Sequence, residues 1–273
     1  MQSVLKSIGT YLLAILFLIF AGYPFIYMIF TTFKTQSYFF QHPSSIWAPF
    51  TFENYILVFE LGIDRYFLNS LLISVVSVGS VVLLAAMVSY PIVRMKFSLN
   101  RPIFLMFLAG LMIPVHTTLI PIYFLTNQLG LYDSLWALIG PYIAFSLPIS
   151  IIILTQFVQE IPRELDEAAI VDGASPTKLF WTIIFPLLTP ALATIAIYNF
   201  IHIWNEFIFA LVLITTPDKM TLPLGLRGFY GEFSVNVPGI MAALTLGTLP
   251  LLITYFAAQE KVVSGLSAGA LKG

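Results

Sequence analysis

Glu160-Ile-Pro-Arg-Glu-Leu-Asp-Glu-Ala-Ala-Ile-Val-Asp-Gly-Ala-Ser-Pro-Thr-Lys-Leu-Phe-Trp-Thr-Ile-Ile-Phe-Pro-Leu-Leu-Thr-Pro190 is the stretch on which the reading of the whole chain turns. Pro162 suits the first turn of a helix, where a missing N–H costs nothing. Glu164, Asp166 and Glu167 then fall near the positive end of that helix dipole. Ala168 and Ala169 leave a small, closely approachable surface. Asp172-Gly173 supplies a left-handed stop, because glycine accepts positive φ without a Cβ clash. Ser175 and Pro176 restart a second helix as N-cap and first residue, and Pro186 and Pro190 mark where the chain turns back into the bilayer. The expectation is a short polar helix–turn–helix between two apolar spans.

Outward from this elbow the chain is apolar. Of its 273 residues 59% are hydrophobic and only 9% charged, and the mean hydropathy is +0.95. A soluble domain carries roughly 25% charged residues. That deficit excludes an ordinary soluble enzyme, a nucleic-acid binder and a disordered scaffold. Twelve Lys+Arg against thirteen Asp+Glu leave a net charge of −1, which points to no polyanionic partner. There is no cysteine, so disulfide frameworks, thiolate nucleophiles and Cys-ligated zinc are excluded.

Six long charge-free intervals, 7–33, 66–93, 102–132, 134–159, 179–205 and 233–259, each exceed the roughly 20 residues a helix needs to cross a bilayer. The interval 35–52 is rich in Ser, Gln, Pro and aromatics and reads as an interfacial loop. The first apolar segment is longer than the roughly 7–15 residues of a signal-peptide core, so it reads as a retained helix; cleavage, leaving five spans, is the alternative. Counting alternate loops places Lys6, Arg94, Lys96, Arg101, Arg163, Lys178, Lys261 and Lys272 on one side and Lys34, Arg65, Lys219 and Arg227 on the other. Eight against four puts the first set, with both termini, in the cytoplasm. The expected fold is all-α: a polytopic membrane protein of six transmembrane helices, one domain over 1–273, with the elbow at 160–185 inside and loops 34–65 and 215–235 outside.

Acids on a cytoplasmic surface are unexpected, since that surface favours Lys and Arg. Glu164, Glu167, Ala168, Ala169, Asp172 and Gly173 therefore read either as a docking site for a protein with basic groups or as an amphipathic interfacial hairpin. In the fifth span, at 100° per residue, Thr194, Tyr198, Asn199, His202, Asn205 and Glu206 share one arc. Glu206 is read as the sole intramembrane charge, and such a group faces a partner or a water-filled cavity. The stripe suits the wall of a path for a polar solute; a hydrogen-bond network between helices uses the same residue types. His202 is read as no metal ligand, because His42 and His116 lie on other segments. The loop holding Gly228, Phe229, Tyr230 and Gly231 reads as an adaptable, adhesive surface or as an interfacial aromatic belt.

Glu167-Ala168-Ala169, then Gly173, Ile183 and Pro186 at fixed spacing, resembles the EAA loop of bacterial ABC importer permeases, E-A-A-x3-G-x9-I-x-L-P, with Phe185 in place of the usual Leu. Phe52-Glu-Asn-Tyr55, Phe67-Leu-Asn-Ser-Leu71, Ile113-Pro114 with Pro121, Trp204-Asn205-Glu206-Phe207, Thr221-Leu-Pro223 and the tail Ser264–Gly273 are similar to the carbohydrate branch, and more narrowly to the smaller permease subunit of the maltose type. The resemblance implies a type I ABC importer permease fold and a coupling helix seated in a separate ATP-binding subunit. It implies as partners a second permease subunit (a heterodimer), two ATP-binding cassette subunits, an extracytoplasmic solute-binding protein, a sugar substrate and membrane lipid, with no nucleic acid. Tyr198, Asn199, His202, Asn205 and Glu206 would then line the substrate path, and Gly228–Gly231 would reach the binding protein.

The chain has no G-x4-G-K-[S/T] phosphate loop, so ATP and Mg are expected on the partner ATPase subunits and no cofactor on this chain. It is expected not to be an enzyme. The alternatives are a permease for another polar solute such as a glycerol phosphate, or an ion-coupled secondary transporter, which would carry internal repeats and several intramembrane charges.

Overall fold

In the computed structural model, backbone is described for residues 2–229 and 235–270, and side chains for 9–229 and 235–257. All regular elements among the described residues are helical: α1 Gln2–Thr31, α2 Gln36–Gln41, α3 Glu53–Glu60, α4 Ile63–Arg94, α5 Asn100–Gly110, α6 Val115–Gln128, α7 Trp136–Glu160, α8 Glu164–Val171, α9 Pro176–Leu179, α10 Phe185–Leu187, α11 Thr189–Trp204, α12 Ile208–Leu213, α13 Leu222–Gly225 and α14 Val237–Ala270. Four unbroken stretches, Gly9–Thr31, Ile63–Arg94, Trp136–Glu160 and Val237–Ala257, are long and apolar enough to cross a membrane.

The third and fifth expected spans are not single rods. Asn100–Gly110 and Val115–Gln128 meet at 101°, and Pro176–Leu187 and Thr189–Trp204 at 71°; counting each bent pair as one span restores six. Proline explains both breaks. Pro114, extended at ψ 128°, offers no N–H and forces Ile113 out of the helical region. Pro190 stands at the start of α11 and removes the hydrogen bond that would carry the helix through Leu188. Just before that bend, Phe180–Ile184 forms a π-helical turn, closed by the Phe185 N–H on the Phe180 carbonyl.

The chain divides into two compact units, residues 1–64 with 225–249, and residues 65–224 with 250–273. In the first, the expected loop 34–65 is an ordered, partly helical segment. Asn54 Nδ2 donates to the Thr32 and Lys34 carbonyls at 2.8 and 2.7 Å, and Tyr55 bonds the Thr32 hydroxyl at 3.0 Å. The Phe52–Tyr55 motif thus satisfies carbonyls left over at the end of α1. Lys34 is fully buried; its amine donates to the Ser45 carbonyl and lies 5.0 Å from the Tyr27 ring centre. Burial holds that amine below the usual lysine range.

The second unit has two apolar cores. One gathers Ala85, Ala86 and Tyr90 of α4, Ile151, Leu154 and Val158 of α7, Ala169 of α8 and Leu179 to Ile195 around the bent fifth span. The other joins Ile73, Leu138, Tyr142, Ile203, Phe209 and Leu213. Gly110 lets α5 approach α7 closely: a Cβ there would sit 3.3 Å from Pro148 Cγ.

Candidate functional site

Two regions of the second unit hold the residues expected at the coupling elbow and on the substrate path. The first is the elbow. The α8 helix closes in a Schellman motif: the Ala174 N–H bonds the Ala169 carbonyl at 2.9 Å and the Gly173 N–H the Ile170 carbonyl at 3.0 Å. Gly173 has φ +76°, and nothing lies within 4 Å of where its Cβ would stand. The demand for glycine is therefore conformational and not steric. Ser175 accepts from the Lys178 N–H at 3.3 Å as N-cap of α9.

The two alanines do not form one docking face. Ala169 is 5% exposed and packs into the core of its own bundle, whereas Ala168 is exposed. Nor do the acids form one group. Asp166 turns inward to Arg94, with Oδ2 3.3 Å from Nε and side-chain exposures of 15% and 5%. Arg94 Nη2 also donates to the Val158 carbonyl at 3.0 Å and to that of Ile161. One guanidinium thus ties the end of α4 to the last carbonyls of α7 and to the first turn of α8. Among the described residues, Arg94 at the end of α4, Asp166 on the elbow and Lys34 after α1 are further buried or part-buried charges, the last two outside the spans. Exposed on α8 and its C-cap are Glu164, Glu167, Ala168, Asp172, and the apolar Leu165, Ile170 and Val171, with the cations Arg163 and Lys178 exposed on either side. Val171 is 87% exposed, an unusual state for an aliphatic side chain on a well-formed helix.

The second region is a cavity of about 390 Å³ lined by Tyr198, Asn199, His202 and Glu206 together with His116 of α6 and Tyr142, Phe145 and Ser146 of α7. Four of the five residues placed on the path from sequence are brought together. Asn205 is not: it caps the end of α11, and its Nδ2 turns back to the Ile201 carbonyl at 2.7 Å. The helical arc drawn through Glu206 therefore ends two residues too late, because α11 stops at Trp204. Glu206 is held instead by three donors: the Tyr142 hydroxyl at 2.6 Å on Oε2, the Phe209 N–H at 2.8 Å on Oε1 and the Ala210 N–H at 3.4 Å on Oε2. Its carboxylate anchors the start of α12 and presents only an edge to the cavity.

Asn199 is buried, donating to Ser150 Oγ at 2.8 Å and to the Ile195 carbonyl at 2.7 Å, while its Oδ1 has no protein partner. The Tyr198 and His202 rings lie 4.3 Å apart. Aromatic faces beside amide and imidazole groups suit a neutral hydroxylated solute. His116 reaches the same cavity as His202 although it comes from another segment. No cluster of three or more metal-binding side chains occurs among the described residues.

Sequence reasoning missed Tyr142, His116, Ser146 and the Arg94–Asp166 pair. It also missed a clamp at the other end of the unit. Asp133, with φ +53°, accepts from the Thr215 and Thr216 N–H groups at 2.9 Å each and from the Thr216 hydroxyl. Lys219 donates to its carbonyl at 2.7 Å. The Thr216 hydroxyl first, then these amides, hold the Asp133 carboxyl well below the usual carboxylate range. Asn69 Nδ2 donates to the Asp218 and Met220 carbonyls at 3.0 and 2.9 Å, and Ser70 Oγ accepts from the Leu222 N–H at 2.7 Å, which is the work of the Phe67–Leu71 motif. Of the loop expected to meet a binding protein, Gly228 is exposed but Phe229 is buried at 4% in a 3-10 turn, so its ring offers no adhesive area. Tyr230 and Gly231 lie outside the described residues.

Four long apolar helices and two bent ones, with a cavity and an exposed elbow in the second unit, are the build of a membrane permease. Residues 81–267 match the family described as binding-protein-dependent transport system inner membrane component. The chain is 46% identical over 254 residues, 93% of its own length and 92% of the relative's, to a putative ABC transporter permease protein of a Caldicellulosiruptor species. It is 36% identical over 279 residues, 100% and 99% of the two chains, to the trehalose/maltose transport system permease protein MalG of Thermococcus litoralis. In fold it is similar to a chain of a bacterial ABC transporter involved in import of the acidic polysaccharide alginate, with TM-score 0.82 at 22% identity, covering 95% and 97% of the two chains. The chain belongs to this family: it is a multi-pass ABC transporter permease of the cytoplasmic membrane.

Proposed function

We propose that this permease serves a carbohydrate importer and is moved through α8 by a separate ATPase. The observation that carries the proposal is the exposed elbow: a short helix rigidly stopped at Gly173, tied at its base by Arg94, and presenting Glu164, Glu167, Leu165, Ile170 and Val171 outward. An aliphatic and acidic face of this kind is completed by a partner surface with an apolar groove and basic rim. The reading assigns ATP and Mg to two ATP-binding subunits, leaves this chain without a catalytic role, and adds a second permease and an extracytoplasmic solute-binding protein. The trehalose/maltose transport named for one relative and the aromatic, hydroxyl- and amide-bearing lining of the cavity, whose one carboxylate is engaged by Tyr142 and two backbone amides, both favour a sugar. Tyr198, Asn199, His202 and Glu206 form this subunit's share of the path, with Gly228 in the loop facing the binding protein.

The test is to purify the permease with its assembled partners, reconstitute it, and screen sugars, a glycerol phosphate and imposed ion gradients. Sugar uptake dependent on ATP and on the binding protein is expected. Uptake driven by a gradient without ATP contradicts the proposal, and uptake of the glycerol phosphate alone moves the substrate class.

A further inference from the structure

The short connection from α4 to α5 carries more positive charge than its neighbours use. Arg94 is consumed by Asp166 and by the α7 carbonyls. Lys96, Arg101 and Arg163 are exposed, and none of them is in an ion pair; the pairs among the described residues are Arg65–Asp218, Arg94–Asp166 and Lys219–Asp133. These three cations wall two adjoining hollows of about 490 and 470 Å³, which share Val93, Asn100 and Arg163. Helix α5 begins there with no side-chain cap, but its Asn100 N–H is taken by the Phe97 carbonyl and Pro102 has none, so the positive potential comes from the three side chains. Interleaved with the cations, Met95, Phe97 and Leu99 are exposed apolar side chains.

We propose that this hollow binds the phosphate of an anionic phospholipid headgroup, held by Lys96, Arg101 and Arg163 around Asn100. A phosphate on a glycerol backbone with two acyl chains needs cations beside apolar surface, and the alternation Met95-Lys96-Phe97 and Leu99-Asn100-Arg101 supplies both. A free inorganic anion shares the phosphate chemistry but leaves Phe97 and Leu99 without a use. Positive side chains on this connection also face the leaflet where anionic lipids concentrate. Arg163 directly precedes α8, so a bound headgroup steadies the base of the elbow. That consequence rests on the coupling reading; the binding itself does not.

The experiment uses the assembled importer in phosphatidylcholine nanodiscs doped with graded phosphatidylglycerol, with lipid retained per complex read by native mass spectrometry and ATPase stimulation measured in parallel. Each cation near the surface contributes about five-fold, so the triple variant Lys96→Gln/Arg101→Gln/Arg163→Gln is expected to weaken retention on the order of a hundred-fold. Lys178→Gln, on the neighbouring α9, is expected to leave it unchanged. Should the triple variant not assemble, Arg101→Gln alone carries the test with the same roughly five-fold loss. Wild-type retention by the variants overturns the site, as does full displacement of the lipid by millimolar inorganic phosphate, or a lipid bound by the free permease and lost on assembly. Lipid loss with sugar-stimulated ATPase intact confirms the site and leaves the coupling reading standing; unchanged lipid with lost stimulation overturns the proposed lipid site and locates the defect in coupling.

Discussion

The elbow and the cavity are both polar breaks in an apolar bundle, yet they are built in opposite ways. At the elbow, the devices that shape the turn act within a few residues, with the Schellman closure from Ala169 to Ala174, the left-handed Gly173 and the Ser175 cap, and only the Arg94–Asp166 tie at its base is long-range. At the cavity, the groups arrive from α6, α7, α11 and α12, and the central carboxylate is held by a tyrosine 64 positions away. The elbow keeps Asp166 and Ala169 inward and turns Glu164, Glu167, Leu165, Ile170 and Val171 outward. The cavity turns its polar groups inward and completes most of them itself. On the proposed reading, coupling would depend chiefly on local backbone geometry and the path on long-range packing.

Substitutions at each region separate the two. Arg94→Gln carries the largest expected effect, because it leaves Asp166 charged without a partner and uncaps the end of α7; loss of about 3–5 kcal/mol is expected, read as a lowered midpoint of thermal unfolding in detergent and loss of assembled complex. The double variant Arg94→Leu/Asp166→Leu is expected to recover much of that stability.

Glu206→Gln comes next. It exchanges charge-assisted bonds from Tyr142 and two backbone amides for neutral ones, at a cost of about 2 kcal/mol. Reduced uptake with ATPase coupling intact is the expected outcome. Equal kinetics and unchanged sugar affinity contradict a role at the path.

At the elbow, Gly173→Val imposes about 1–2 kcal/mol of backbone strain, while Gly173→Asn, which tolerates the left-handed region, imposes less. Because nothing crowds the missing Cβ, no clash at that atom separates the two variants, and the left-handed backbone is what they meet differently. Basal ATPase activity with weakened sugar stimulation in the Val variant, and near-normal stimulation in the Asn variant, is the expected pattern.

The smallest effect belongs to Asp133→Asn, about 1 kcal/mol. The folded carboxyl titrates below its unfolded value near 4, so its contribution is present above about pH 4 and lost as pH falls through the lowered folded value. Thermal melts of variant and wild type therefore converge in acid; a constant difference down to pH 2 contradicts the clamp.

The same contrast explains what was legible in the sequence. Spans, elbow, Gly173 and the Ser175 cap follow from charge-free length and short-range turn chemistry. The bends were readable in Pro114 and Pro190 but were masked by uninterrupted hydrophobicity across each break. Tyr142 meeting Glu206, His116 joining His202, and Arg94 meeting Asp166 leave no short-range signature, since each depends on which helix faces which. The periodicity that placed Asn205 on the stripe failed, and Glu206 reaches the cavity from beyond the helix end, because that end carries no break in hydropathy when the next helix is equally apolar.

The most direct measurement uses the absence of cysteine from the chain, which makes Val171→Cys a unique label site. Inside-out vesicles carrying the permease alone, and others carrying the assembled importer, are treated with a membrane-impermeant maleimide. Rapid labelling of the lone permease and strong protection once the ATPase subunits are bound are the predicted results. Labelling only from the opposite face, or at the same rate in both preparations, contradicts docking through α8.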